Sequence, residues 1–359
     1  MRARKRTWTS GGLMAIAGLW LFGEYAPVGQ DATLVSIGAL RRVHSVVLNE
    51  DRLLTVRLPA DHDGGRLSYP VIYGESTAHA LSEATGQRRW GVLPLDPRSA
   101  ERTAPIEALK RQGPALAEAF ARHVHRNVKG EQMPYRLFTP ARLDAGRTYP
   151  LVVFLHGAGG SGTDNVGQLQ GANMFGALIW TLPEHQKRHP AFVLAPQSDV
   201  NWPCTIFDPK NPPKTIADIK FCPPGDLGIG AHLAFEIIDS LLARLPIDPA
   251  RIYVTGHSMG GAGTWHMIAH RPRFFAAAVP VCGHPLPATA AIVKDVPIWN
   301  FHGTADDVEP VATSRAMIEA LRRAGGRPRH TEYKGVGHNV FMWAYTEPAL
   351  VEWLFAQKR

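Results

Sequence analysis

From Tyr135 onward the chain alternates two kinds of pattern. Short β-rich runs that stay apolar at nearly every position predict strands buried on both faces, since a strand with one wet face would alternate polar and apolar residues. Such runs fall at 149–155, 191–195, 251–255, 276–281 and 298–302, and the more polar run 329–333 is a further candidate strand. Between them, residues 228–244, 259–270, 314–324 and 348–357 predict helices. Pro272 ends the second of these and Gly325-Gly326 the third, both ordinary helix terminators. Strands and helices in strict alternation specify a mostly parallel sheet with helices on both faces. The expectation is one α/β domain over residues 126–359.

The first 125 residues read differently. Residues 1–30 begin with Arg2, Arg4, Lys5 and Arg6 and continue into an apolar run over 11–23. That run is shorter than the ~20 residues a membrane-spanning helix needs, so it reads as an export signal. No small-x-small triplet marks a cleavage site near 25–31, so an uncleaved N-terminal anchor stays open beside a cleaved signal. Within 31–125, residues 56–73 resemble residues 136–154 with one residue of slippage: a strand, a Pro-containing turn, Tyr-Pro, and a second strand. This first copy runs into Gly74-Glu-Ser-Thr-Ala78, which lacks the second glycine of a nucleophile turn. The segment 31–125 is therefore expected to be a truncated, accessory element without chemistry of its own.

Composition refines this picture in two places. At 45% hydrophobic and 19% charged residues, the chain has the make-up of a core-building globular protein. A net charge of +8 would suit a nucleic-acid partner, but four cations against Glu24 in the first thirty residues leave +5 for the rest. No basic run is interleaved with aromatics there, so no nucleic-acid partner is expected, and membrane contact only through the N-terminal segment. Three cysteines in an exported chain allow one bridge and one leftover. Cys204 and Cys222 bracket a Pro-rich loop and are expected to pair, which by loop-closure reasoning would stabilise the fold by ~3 kcal/mol. Cys282 closes an apolar run and reads as a packing thiol.

The chemistry gathers at Gly256-His-Ser258-Met-Gly260, between a predicted strand and a predicted helix. A strand-turn-helix setting lifts a serine hydroxyl above a sheet, and glycines flank it because side chains would collide where strand and helix nearly touch. A serine hydroxyl is a weak nucleophile at neutral pH and needs a base, which in turn needs an acid to orient it. In chain order after Ser258, Phe301-His-Gly-Thr-Ala-Asp306-Asp307 places an acid just past a strand, and Gly335-Val-Gly-His338 places a histidine in a loop after the last one. Asp306 is preferred to its neighbour Asp307 because it comes first after the strand-end turn. His338 is preferred to His330 because His330 lies inside a predicted strand. Donors for an oxyanion are expected from the N–H of Met259 and an N–H near Ala158, in the small-residue run Gly157-Ala-Gly-Gly160. His257 and Trp202 are candidate substrate contacts, with a packing role equally open for Trp202. Neither phosphate-cradling glycine motif is present, and His266 and His270 lack the adjacent glutamate of a zinc helix, so neither cofactor nor metal is expected.

These residues resemble a known group. Leu155-His-Gly-Ala-Gly-Gly, Ala195-Pro-Gln, the run from Ile247 to Gly261, Phe274 to Gly283, Phe301 to Asp307 and Gly335-Val-Gly-His338 are similar to the α/β-hydrolase superfamily. Within it they resemble the predicted-peptidase and carboxylesterase branch, related to prolyl-oligopeptidase catalytic domains, polyhydroxybutyrate-depolymerase-like proteins and feruloyl esterases. The resemblance covers nearly two-thirds of the chain and implies Ser258, Asp306 and His338 as the triad. It implies a serine esterase acting on short-acyl, aromatic or polyester-type esters. A serine peptidase, or an envelope protein that keeps the fold without catalysis, are the alternatives. Residues 31–75 resemble more weakly the start of a second esterase type, and the cysteine-bracketed insertion 198–226 departs from the family pattern.

Overall fold

The computed structural model describes residues 100–206, 220–222 and 226–359, together with the backbone of three short strands nearer the N-terminus. The chain divides into two compact units, residues 1–94 and 95–359. In the first, β1 (Gly23–Glu24), β2 (Ala39–Ser45) and β3 (Glu50–Val56) form an antiparallel sheet, with Ala39 opposite Val56 and Ser45 opposite Glu50. The apolar segment 11–22 and the repeat from residue 57 to 73 lie outside the described residues. No described helix is long and apolar enough to cross a membrane.

The second unit begins with helix α1 (Ala100–Glu118), followed by β4 (Ala121–Arg126), β5 (Gln132–Phe138) and β6 (Tyr149–Leu155). After β6 come α2 (Asn173–Leu178), α3 (Pro183–Arg188) and β7 (Phe192–Pro196). The short pair β8 (Thr205–Ile206) and β9 (Lys220–Phe221) precedes α4 (Ile229–Arg244), β10 (Ile247–His257) and α5 (Met259–His270). The remainder is β11 (Ala277–Val281), α6 (Ala290–Val293), β12 (Trp299–Gly303), α7 (Val311–Arg323), β13 (Arg329–Tyr333), α8 (Phe341–Tyr345) and α9 (Leu350–Ala356).

Eight strands form one sheet in the order β13-β12-β11-β10-β6-β7-β5-β4. Strands β6, β7 and β10 to β13 are mutually parallel, while β5 and β4 run antiparallel at one edge. Helices cover both faces, which explains why the central strands read as unbroken apolar runs. Leu151, Val153 and Leu155 of β6 point into the core that holds α4 and α5, and Val152 and Phe154 into the opposite core with α2, α8 and α9. Each such fully buried side chain contributes roughly 1.5–3 kcal/mol over its exposed state.

The expected boundary at 125/126 is corrected. It falls at the end of β4, which is paired along its whole length with β5, and α1 packs on the same unit. Ile106, Leu109 and Phe120 enter the core beside Trp180 and Tyr333. Arg102, 3% exposed, binds Glu347 and the carbonyl of Trp343 at 3.0 Å each. The accessory segment therefore loses its last third to the second unit. Cys204 and Cys222 form a disulfide with Cα atoms 5.4 Å apart, closing the β8–β9 hairpin.

Candidate active site

Five parallel strands, β6, β10, β11, β12 and β13, end on one side of the sheet, and the loops leaving them carry the candidate residues. In open parallel sheets this is where ligands bind. Strand β10 passes directly into α5 through Ser258, whose backbone sits at φ 54° and ψ −121°. A non-glycine residue held there is strained by ~1–3 kcal/mol, so the surroundings must fix it. They do so by close approach: a Cβ on Gly260 would lie 1.9 Å from the carbonyl oxygen of Leu155, and one on Gly256 2.4 Å from that of Gly260. The serine N–H donates to the carbonyl of Val281 on β11 at 2.9 Å.

His338 opens a short 3-10 turn just after β13. Its Nε2 lies 2.8 Å from Ser258 Oγ and its Nδ1 2.8 Å from Asp306 Oδ2. A carboxylate only accepts, so Nδ1 carries the proton and Nε2 is left to accept from the serine hydroxyl. Asp306, on the loop after β12, accepts the N–H groups of Val308 and Glu309 on Oδ1 at 3.0 and 2.9 Å. Burial pushes its carboxyl pKa up, but hydrogen bonds from His302, His338 and the Glu309 N–H outweigh burial and hold it well below the usual carboxylate range. Asp307 is exposed, and His330 binds Glu332 at 3.0 Å, so the structure brings neither competitor to the serine.

On the far side of Ser258, Met259 takes the first position of α5 and Ala158 the first position of a 3-10 turn, Ala158–Gly160. N–H groups at helix starts have no acceptor in their own helix and sit at the positive end of its dipole. The neighbouring Gly157 N–H is already taken by Asn173 Oδ1 at 2.8 Å. His156 fixes the same loop from below: it accepts the Ser198 N–H on Nε2 at 2.9 Å and donates from Nδ1 to the Gly157 carbonyl at 2.8 Å. Burial pushes its pKa down to about 4, so it stays neutral.

Two candidates are corrected. Trp202 is fully buried, donates from Nε1 to the carbonyl of His156 at 2.9 Å, and fills space that Gly263 of α5 leaves open, where a Cβ would come within 2.5 Å of it. It is a packing residue and offers no stacking platform. His257 is 2% exposed, its ring 4.4 Å from that of Phe341, and burial pushes its pKa down to about 3, with His338 and His156 adding to the shift. It lies behind the serine, where a substrate does not reach.

Asn173 was invisible as a site residue because its partner Gly157 lies on another loop, and His302 and Glu309, although four and three residues from Asp306, carry no local pattern that marks them as its hydrogen-bond partners. His302 donates from Nε2 to the Glu309 carbonyl at 2.8 Å and lies 3.3 Å from Asp306 Oδ2. Cys282 is buried, with φ +38°, its thiol 3.6 Å from the His338 carbonyl and pushed far up in pKa by burial. Among the described residues, Cys282, Asp306 and His338 are the one group of three with ligand atoms within 4.8 Å of one another. The His338–Asp306 hydrogen bond already occupies the donor atoms of two of them.

The chain is similar to several known proteins. Residues 231–343 match the family described as phospholipase/carboxylesterase. The crystal structure of a thermostable esterase superposes with a TM-score of 0.61 at 39% sequence identity, covering 68% of this chain and 64% of that one. A bifunctional acetylxylan esterase/xylanase, XynS20E of Neocallimastix patriciarum, is 37% identical over 73 residues, 20% of this chain and 11% of its own length. Poly(3-hydroxyalkanoate) depolymerase C of Paucimonas lemoignei is 43% identical over 65 residues, 17% of this chain and 16% of its own. The chain spans less than two thirds of the length of each of these three proteins.

Proposed function

Because the chain belongs to the α/β-hydrolase superfamily, we propose that it hydrolyses carboxylic esters through an acyl-enzyme formed on Ser258. The observation that carries this is the hydrogen-bonded chain from Ser258 Oγ through His338 to Asp306, placed on a strained turn at the ends of the parallel strands. In the proposed cycle His338 Nε2 takes the hydroxyl proton as Oγ attacks the ester carbonyl. The N–H groups of Met259 and Ala158 receive the oxyanion, a contribution whose loss typically costs ~10²–10³ in rate. The imidazolium, held by Asp306, then protonates the leaving alcohol, and a water activated by the same imidazole releases the acid.

Short-acyl, aromatic or polyester-type esters are the proposed substrates, supported by relatives named for acetylated xylan and for poly(3-hydroxyalkanoate). Action outside the cytoplasm is part of the proposal, supported by the Cys204–Cys222 disulfide, since such bonds persist in oxidising compartments. The test is a panel of 4-nitrophenyl esters of increasing acyl length against aminoacyl and peptidyl 4-nitroanilides, run on the wild type and Ser258→Ala. Ester turnover that vanishes in Ser258→Ala, with fluorophosphonate labelling of the wild type alone, is the expected result. Faster anilide than ester turnover would turn the reading to a peptidase. Turnover untouched by Ser258→Ala would remove the acyl-enzyme altogether.

A further inference from the structure

On the ester-hydrolase reading, we propose that His257 is a positioning residue, its ring acting as a spacer that sets both the oxyanion loop and the general-base loop at their working distance from Ser258. Three loops meet on this one side chain. It ends β10, immediately before the nucleophile. Phe341, against which its ring lies at 4.4 Å and 33°, opens α8 directly behind the turn that carries His338. Gly157, next to the proposed oxyanion donor Ala158, is laid against its other edge: a Cβ there would come within 2.8 Å of Nε2 and 3.0 Å of Cδ2. Phe154 and Tyr345 close the remaining sides, with ring centroids 5.9 and 6.4 Å away.

Packing alone does not account for an imidazole here. Nδ1 has no hydrogen-bond partner, although it is completely buried, and a hydrocarbon side chain would leave no ring nitrogen unsatisfied. What an imidazole supplies is a thin, short plate. A six-membered ring would reach further toward Gly157 and push Ala158 outward, while a truncated side chain would leave Phe341 and the His338 turn without a backstop. A displacement of about 1 Å at such a site can cost on the order of 10²-fold in rate with no contact to substrate changed.

The steric pair Gly157/His257 gives the test. Steady-state kinetics with 4-nitrophenyl acetate are measured for the wild type, Ser258→Ala, His257→Ala, Gly157→Ala and the Gly157→Ala/His257→Ala double variant, each checked by circular dichroism and a thermal melt. Wild-type turnover that is lost in Ser258→Ala upholds the underlying reading independently of His257. With that in hand, His257→Ala is expected to lower kcat at least tenfold with KM within about twofold. Gly157→Ala, which drives a methyl against the ring, is expected to lose at least as much. The double variant, with the ring trimmed away, is expected to recover threefold or more over Gly157→Ala. A kcat for His257→Ala within twofold of wild type, a loss confined to KM, or double-variant losses that simply multiply would overturn the proposal. If the alanine variant does not fold, His257→Asn replaces it in the same comparison, with the same outcomes.

Discussion

Replacing Arg102 by methionine isolates the contact that ties α1 to the rest of the unit. The guanidinium is 4% exposed and lies 3.0 Å from the Glu347 carboxylate, which is 2% exposed and also accepts the Tyr333 hydroxyl at 2.6 Å. Methionine keeps the length of the stem but removes the cation, leaving a carboxylate buried beside Tyr333 without its counter-charge. Breaking a buried pair from one side costs about 3–5 kcal/mol, because the remaining charge stays desolvated. For the unit of residues 95–359, an unfolding entropy of about 2.1 cal/mol/K per residue gives roughly 0.56 kcal/mol/K. A loss of about 4 kcal/mol then lowers Tm by about 7 °C. Calorimetry of the full chain reads this directly. Arg102→Met/Glu347→Gln, which leaves no buried charge, is expected to recover at least half of the loss. A drop of less than 2 °C for Arg102→Met, or a double variant worse than the single, would refute the claim that α1 is bound to the unit through this pair.

Three further outcomes follow from the site. Ser258→Gly relieves the φ 54° strain, so it is expected to raise Tm by about 2 °C, for ~1 kcal/mol net of glycine's greater chain freedom, while ester turnover disappears; a lower Tm would deny the strain. Asp306→Asn is expected to cut kcat on the order of 10³–10⁴-fold with KM little changed, because an amide can face His338 Nδ1 in the wrong donor sense; the exposed Asp307→Asn should match wild type in the same assay, and a reversal of the two would reassign the acid. His156 and His257 have folded pKa values lowered to about 4 and about 3 from 6.5, chiefly by burial. The unfolded chain therefore binds more protons below pH 6.5, so their contribution is complete above that pH and is lost as pH falls, by up to about 1.4 kcal/mol per pH unit for each ring. Urea melts between pH 6.5 and 5, where carboxylates stay ionised, should show stability falling with acidity, and a flat profile would contradict buried neutral imidazoles.

Legibility in the sequence tracked burial and locality. Residues 149–155 were readable as a strand to the residue, and 259–270 as a helix, because two-sided burial or a proline stop writes itself into the local pattern; 329–333 matched as closely without two-sided burial, since only Tyr333 of this edge strand is buried. Helix α1 was legible only in part, as a Pro- and Arg-rich stretch over 93–116 that turns helical, since Pro105, Gly113 and Pro114 break its periodicity. Strand β4, Ala-Arg-His-Val-His-Arg, looks like loop because an edge strand carries charge to discourage further pairing. In the site, the nucleophile turn announced itself through glycines required by close approach. Trp202 could not be resolved, because the space it fills is opened by Gly263, sixty-one residues away on another element. The same holds for His257: the pentad shows its place beside the serine but not the walls of Phe154, Phe341 and Gly157 around its ring.

The acid loop raises a sharper question, because Asp306 faces two imidazoles and each of them meets a serine. His338 joins Asp306 to Ser258, and His302, 3.3 Å from the same carboxylate oxygen, contacts Ser314 Oγ at 2.8 Å through Nδ1. By residue type and distance the two chains are nearly alike. Solvent access separates them. His302 and Ser314 are completely buried, whereas the His338 side chain is 22% exposed and Ser258 half-buried. The tautomers differ as well. His302 spends its Nε2 proton on the Glu309 carbonyl and the Asp306 side, so its other nitrogen receives the Ser314 hydroxyl in a closed network that ties α7 to the acid loop. His338 turns its protonated nitrogen to the carboxylate and its free lone pair to a serine that substrate can reach. In the proposed cycle the inner chain holds the carboxylate still, and the outer one, sharing that carboxylate, moves the proton.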